Sequence, residues 1–486
     1  MNKIFRTTLI MGSSQICVIA IQIVRAKIVA LIIGPAGVGV LGNTFVFLSL
    51  IENLCFLGIH IALLRYASEE ISEKKYKETS QLLSTAFFIH ILISSLGIVV
   101  VLLFLQKINI SIYQNLNFLF VSIFALLAAP FVILYSDLAN IFNAFNEIKI
   151  LGKLNVFPAV IGLTSVVPLI IIFGVKGAII SIFVESVLMF LVGFRFYKHY
   201  LAGKIKIKKR FFSKKLALKM FKYGGVNQLA IIINTLAAYF LRVFVTSKLS
   251  LSGVGVFNAA AGIGSYLLTL QSPIGIYLYP KISSIYKDKQ ETGVEINNIL
   301  RFFLIILTPL IIGILIFSDI LIRVLLSREF LAVKTILLWI LLVNFFQILQ
   351  SIISTPLFIM EKFKIYLGVN TIFNLTLISL SYIFLYKFDL VGMTIAMSIA
   401  YGLSFIFWLI ASAMVFRFRV KKENYLLLCT ALALAFLTNW SKKLSLLIQL
   451  LVISITLLWL LVVVKKTEWI ALNNYLKKYW PFQQKI

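Results

Sequence analysis

The chain has 486 residues, of which 61% are hydrophobic and only 13% charged, and its mean hydropathy is +1.02. A soluble domain is roughly half apolar and about a quarter charged, so this chain cannot cover a water-facing surface, and disordered, collagenous and disulfide-scaffold classes fall with the soluble one. The net charge of +29, from 46 Lys and Arg against 17 Asp and Glu, points to nucleic acid only if it is not explained by its position along the chain.

A helix needs about 20 mostly apolar residues to cross the hydrocarbon core. By that measure the chain predicts about fourteen spans, near residues 8–33, 38–64, 82–105, 116–142, 154–173, 177–197, 220–246, 253–280, 299–322, 332–360, 367–386, 389–416, 425–440 and 444–464. The basic start, Met1 to Arg6, resembles a signal peptide, but no small-residue cleavage site follows, so the first stretch reads as a retained helix. With both termini placed in the cytoplasm, the cytoplasmic connections hold 34 Lys and Arg and the outer connections 9. Such a bias sets orientation and accounts for the net charge without nucleic acid. The longest basic run, Lys198 to Lys222, has no acid. It reads either as a linker touching anionic headgroups or as a docking site for a partner enzyme.

The basic linker divides the first twelve spans into six and six. Arg25 is followed by Gly37-Val-Gly-Val40, and Arg242 by Gly253-Val-Gly-Val256. Gly174-Val-Lys-Gly177 matches Asp389-Leu-Val-Gly392, and Asn146-Glu-Ile-Lys149 matches Met360-Glu-Lys-Phe-Lys364. Six is even, so both halves enter from the same side and form a parallel repeat, whose interface is a common place for a substrate site. The fold expected is an all-α polytopic membrane protein with two six-helix lobes plus two C-terminal helices. Its divisions are 1–197, a linker at 198–219, 220–416, and 417–486 with helices thirteen and fourteen. The Gly-Val-Gly-Val elements read as outer hinges or turns.

Charges inside spans are functional candidates by default. They are Arg25, Lys27, Glu52, Asp137, Glu185 and Arg242. At 100° per residue, Ser14, Gln15, Gln22 and Arg25 share one face of span one, and Lys27 faces away. Asn227, Gln228, Asn234, Thr235 and Arg242 share a face of span seven; Ser49, Glu52, Asn53 and His60 share one of span two. Asn258, Ser265, Thr269 and Ser272 do so on span eight. Four polar stripes, two per half, suggest a central hydrated cavity. Gln22, Arg25, Gln228, Arg242 and Asn258 are the candidate substrate-binding residues, and Glu52, Asp137 and Glu185 the candidates for ion coupling. The bland alternatives are snorkelling for the arginines, which lie roughly 10–14 Å from the outer ends of their spans, and an interfacial position for Asp137. Cys17, Cys55 and Cys429 read as buried free thiols, and three separated histidines offer no metal site. No catalytic constellation, Walker loop or cofactor motif stands out.

Arg25-Ala-Lys-Ile-Val-Ala-Leu-Ile-Ile-Gly-Pro-Ala-Gly-Val-Gly-Val-Leu-Gly42, with Gly253 to Asn258, Tyr277-Leu-Tyr-Pro280 and Leu325-Leu-Ser-Arg-Glu-Phe330, resembles Wzx-type oligosaccharide flippases, those of O-antigen and enterobacterial common antigen. The resemblance implies the multidrug/oligosaccharidyl-lipid/polysaccharide exporter superfamily, a multi-pass protein of the bacterial inner membrane, and no enzymatic activity. It also implies a cargo of undecaprenyl-diphosphate-linked oligosaccharide moved to the periplasmic leaflet, basic residues in the cavity, and other polysaccharide-assembly membrane proteins as partners. A drug/cation antiporter of the same fold would want an acidic cavity. A membrane-embedded polymerase or ligase would want larger outer loops. A structural or assembly component would use the polar stripes only to pack helices.

Overall fold

The structure is a computed structural model, and it describes residues 2–114, 116–271, 278, 281–441 and 446–464. Its elements are α1 (Asn2–Phe56), α2 (Ile59–Ser72), α3 (Tyr76–Tyr113), α4 (Leu119–Ala144), α5 (Ile148–Phe196), α6 (Lys214–Lys248) and α7 (Leu251–Leu268). They continue with α8 (Lys289–Ile316), α9 (Ser318–Leu325), α10 (Lys334–Ile359), α11 (Phe363–Phe416), α12 (Lys422–Ser441) and α13 (Leu446–Val463). Among the described residues ten helices are long and apolar enough to cross a membrane.

Three of these are too long to be one span. Helices α1, α5 and α11 have 55, 49 and 54 residues, whereas about 20 cover the hydrocarbon core. Each is broken by one residue of positive φ: Gly34 at 59°, Gly174 at 57° and Asp389 at 55°. The three breaks restore six spans, and with α13 the count reaches the fourteen expected. Leu103, Ile172, Met414 and Val462 project outward, as lipid-facing side chains do and as water-facing ones seldom do in such number. The tail beyond residue 464 and Ser272 lie outside the described residues.

The expected duplication reappears in the backbone. Gly174 and Asp389 adopt the same left-handed φ, and three residues later a Cβ on Gly177 or on Gly392 would overlap a carbonyl oxygen of the preceding span, Leu169 and Phe384 respectively. Asn146 and Glu361 hold the matching turns, both at φ 56°. The register is one residue from the sequence pairing, which sets Met360 against Asn146.

By contacts the chain forms two compact units. One comprises Met1–Tyr266, Ile322–Ile336 and Leu367–Ala400; the other Leu267–Leu321, Leu337–Tyr366 and Tyr401–Ile486. The first holds two apolar cores. Phe47, Ile51, Leu126, Ile133 and Ile179 join α1, α4 and α5. Leu63, Leu83, Ile141, Phe142 and Ile150 join α2, α3, α4 and α5. In the second unit Asn297 of α8 accepts from the Lys421 backbone N–H and donates to the Arg419 carbonyl, and Asn424 donates back to it. One asparagine thereby anchors the turn into α12.

The basic connection before α6 is not a loose tether. The hydroxyls of Ser80, Ser84 and Thr85 on α3 accept from the backbone N–H groups of Lys206, Lys208 and Ser213, at 3.1 Å each. Tyr197 Oη donates to the Ile205 carbonyl and accepts from the Ile207 N–H. Lys204-Ile-Lys-Ile-Lys208 alternates as an extended strand does: Ile205 is buried and the lysines are exposed.

The Gly-Val-Gly-Val elements are helical rather than turns, and the hinge between the first two spans is Gly34 alone. Their glycines make a reciprocal crossing of α1 and α7. A Cβ on Gly39 would overlap the Leu251 carbonyl oxygen, and one on Gly255 the Pro35 carbonyl oxygen. The partners are offset equally in sequence, as a pseudo-twofold contact requires. Glycine here allows backbones to approach as no other residue does. Gly255→Ala should therefore destabilise by about 1–3 kcal/mol through overpacking. Gly313→Ala on α8, where a Cβ meets nothing within 4 Å, should be neutral or mildly stabilising by helix propensity. Thermal unfolding of the two variants in detergent compares them directly.

Candidate functional site

A cavity of about 420 Å³ lies within the first unit. Gln22 and Arg25 reach it from the first span of α1, Arg242 from α6, and Asn258 and Tyr266 from α7; the rest is mainly apolar, including Val29, Leu41 and Ile263. Apolar walls with a few convergent polar groups are the usual make-up of a ligand site. Four of the five residues read from the sequence as substrate-binding thus line one cavity, and they come from both sequence halves.

The two arginines are held differently. Arg25 makes a forked pair with Glu185 of α5, Nη2 to Oε2 at 2.8 Å and Nη1 to Oε1 at 3.3 Å, with side chains 20% and 17% exposed. Gly162, on the first span of α5, makes room for it: a Cβ there would overlap Arg25 Nη1 and lie 2.7 Å from Glu185 Oε1. Arg242 has no carboxylate partner among the described residues. Its guanidinium carbon stands 4.7 Å from the centre of the Phe257 ring, and its Nη1 is sealed from solvent with no hydrogen-bond partner among the described residues. A buried donor without an acceptor is costly and calls for an explanation.

Asn258 serves both the cavity and the fold. Its Nδ2 donates to the Val38 carbonyl at 3.2 Å, and Gly42 leaves the space its amide occupies. Lys27 points away from Arg25, as the helical wheel required. It donates to the carbonyls of Arg323 at 2.6 Å and of Leu326, capping the C-terminal end of α9, where a cation is favoured. Lys27→Ala should cost about 1–3 kcal/mol of stability, read by thermal unfolding, with ligand binding at the cavity unchanged.

Other candidates lie elsewhere. Gln228 is buried outside the cavity and donates to the Asn53 carbonyl. Asn53 in turn donates to Thr235, and Asn374 to Asn234. The stripes of spans two and seven therefore join in part into a helix–helix seam, closed at one end by Gly58 against Gly224. Periodicity cannot distinguish a stripe that meets water from one that meets another stripe. Glu52 is half-buried, off the cavity, and without an ion pair or hydrogen bond among the described residues. Asp137 packs inside the protein. It is fully buried, its Oδ2 is 2.7 Å from His90 Nδ1, and His90 Nε2 is 3.3 Å from the Phe56 carbonyl oxygen. Of the cysteines only Cys55 is buried; Cys17 and Cys429 are exposed.

The sequence reading missed Tyr266, Phe257 and Gly162. Phe257 adjoins Asn258 but is indistinguishable from a packing aromatic, and Gly162 carries no local signal of what crosses it.

The architecture has solved counterparts. It is similar to a lipid II flippase MurJ in an inward closed conformation, with a TM-score of 0.67 and 17% identity over 94% of this chain and 98% of that one. It is also similar to an inward-facing MATE family transporter of the MOP superfamily, with a TM-score of 0.66 and 14% identity over 84% and 95%. At such identity these likenesses establish the fold. A Shigella flexneri protein named for O-antigen transport is 28% identical over 203 residues, which is 41% of this chain. The match spans 48% of that curated relative's length. Residues 28–335, more than half of the chain, match the family described as polysaccharide biosynthesis protein, and the chain belongs to that family.

Proposed function

We propose that the protein is a flippase for undecaprenyl-diphosphate-linked oligosaccharide, moving it from the cytoplasmic to the periplasmic leaflet for assembly of an O-antigen-like surface polysaccharide. The observation that carries this reading is the convergence of Arg25 and Arg242 on one cavity from corresponding places in the two sequence halves. A lipid-linked sugar has an apolar tail, an anionic diphosphate and a polar head. The tail stays in lipid while the head and diphosphate pass through the cavity. Guanidinium is suited to this because its planar fork matches phosphate oxygens. A cationic drug would instead meet an unpaired Arg242 and a carboxylate, Glu185, already neutralised by Arg25.

In this reading the two six-helix halves, 1–197 and 220–416, act as lobes joined by the basic connection, and 417–486 is an appendage. The clasps at Gly39–Gly255 and at Gly58–Gly224 open in turn, one toward each leaflet. Glu52 remains the first candidate for coupling to an ion gradient, because it is a carboxylate within a span with no ion pair or hydrogen bond among the described residues.

The test is complementation in a strain lacking its own flippase, read as surface glycan with protein level followed by immunoblot. Restoration of glycan and clearance of the accumulated lipid-linked intermediate are expected. Failure of the expressed protein to restore glycan from any lipid-linked precursor would reject the assignment. Orientation is checked separately: reporter fusions should read cytoplasmic at Lys209 and periplasmic at Lys248.

A further inference from the structure

The two cavity arginines are equivalent in sequence but not in state. Arg25 has its fork filled by Glu185, while Arg242 has a sealed N–H with no acceptor among the described residues. We infer that Glu185 is an internal counter-anion that competes with the ligand for Arg25, so that the diphosphate engages Arg242 first and then displaces the carboxylate. This rests on the reading of the cavity as an anion site.

Three observations support it. Arg25 lines the cavity and Glu185 does not, so a ligand reaches the guanidinium from the cavity while the carboxylate approaches from α5. The pair is forked but still about one-fifth exposed on each partner, which leaves it open to exchange in a way that a fully buried pair is not. Gly162 leaves the room in which both side chains meet, so the contact is provided for by packing.

Such a device suits a carrier that must return empty. Two bare guanidiniums in a cavity of low polarity repel one another and lose hydration. Glu185 neutralises one of them while no ligand is present. Phe257 supports the other through its ring face. The diphosphate then replaces one carboxylate and adds the charge that Arg242 lacks.

The experiment uses the full-length protein purified in detergent, with farnesyl diphosphate and inorganic pyrophosphate as probes and binding followed by thermophoresis. If Glu185 competes, Glu185→Gln binds farnesyl diphosphate more tightly, by roughly tenfold. Glu185→Asp, which keeps the charge but shortens its reach, falls between the two. The gain vanishes without Arg25: Arg25→Ala and the double variant Arg25→Ala/Glu185→Gln bind alike. A merely positioning role predicts the opposite sign, because an unanchored Arg25 binds less well. Weaker or unchanged affinity in both Glu185 variants, with binding still lost on Arg242→Ala, overturns the counter-anion while leaving the anion site standing. Wild-type binding of both probes that is indifferent to Arg242 overturns the anion site itself. Inorganic pyrophosphate separates the sources of affinity: a shared Glu185 effect on both probes assigns it to the diphosphate, and an effect confined to farnesyl diphosphate assigns it to the lipid and overturns the competition.

Discussion

Arg242→Ala should abolish complementation of surface glycan while leaving the folded protein as stable as wild type, or slightly more so. The separation follows from how the side chain is held. Its Nη1 has no acceptor, and the side chain no carboxylate partner, among the described residues, so truncation breaks no ion pair among them and removes a charge that is costly to bury. What it removes is a guanidinium at the cavity wall whose Nη1 lacks an acceptor among the described residues. Deleting one partner of a desolvated, hydrogen-bonded charge pair typically costs about 2–5 kcal/mol, or roughly thirty- to several-thousand-fold in affinity. Arg242→Lys should recover only part of the activity, because an ammonium is a point charge without the planar fork. Arg25→Ala provides the contrast. It leaves Glu185 without its partner and should lower stability and transport together. Immunoblot, thermal unfolding and surface glycan measured on the same variants distinguish the two patterns. Loss of both properties in Arg242→Ala would show that this side chain supports the fold rather than a ligand.

The second large effect is expected away from the cavity. Asp137→Ala leaves His90 fully buried beside an empty carboxylate site. Breaking a buried pair by removing one member costs about 3–5 kcal/mol, a large part of the stability of an ordinary domain. Asp137→Asn should be milder, since the amide oxygen still meets His90 Nδ1. Glu52→Gln should leave thermal unfolding unchanged, because that carboxylate has no ion pair or hydrogen bond among the described residues to lose, and should act on transport instead. Unfolding temperatures in detergent, set beside complementation, check the ranking. Unchanged stability in Asp137→Ala would mean that the His90 contact contributes little. Wild-type transport in both Glu52→Gln and Asp137→Asn would remove carboxylate coupling from the proposed mechanism.

The membrane class, the number of spans and the duplicated halves were legible from residues alone, because each is written in short-range pattern. A span is a run of apolar residues whose length is set by the bilayer, and a repeated kink requires the same few residues twice, as at Gly174 and Asp389. The polar faces that led to Gln22, Arg25, Arg242 and Asn258 were legible for the same reason, since 3.6 residues per turn is a local rule. What each face meets was decided only by tertiary structure. Arg25 finds Glu185 across 160 residues of chain, Asp137 finds His90 across 47, and the stripe bearing Gln228 closes on Asn53 rather than on the cavity. Pairing energies of this kind depend on distance and burial in three dimensions, and neither is a function of sequence spacing. The equivalence of the two arginines came from sequence; their difference came from packing, which brings Glu185 and Gly162 beside Arg25 and leaves Arg242 without a carboxylate partner among the described residues.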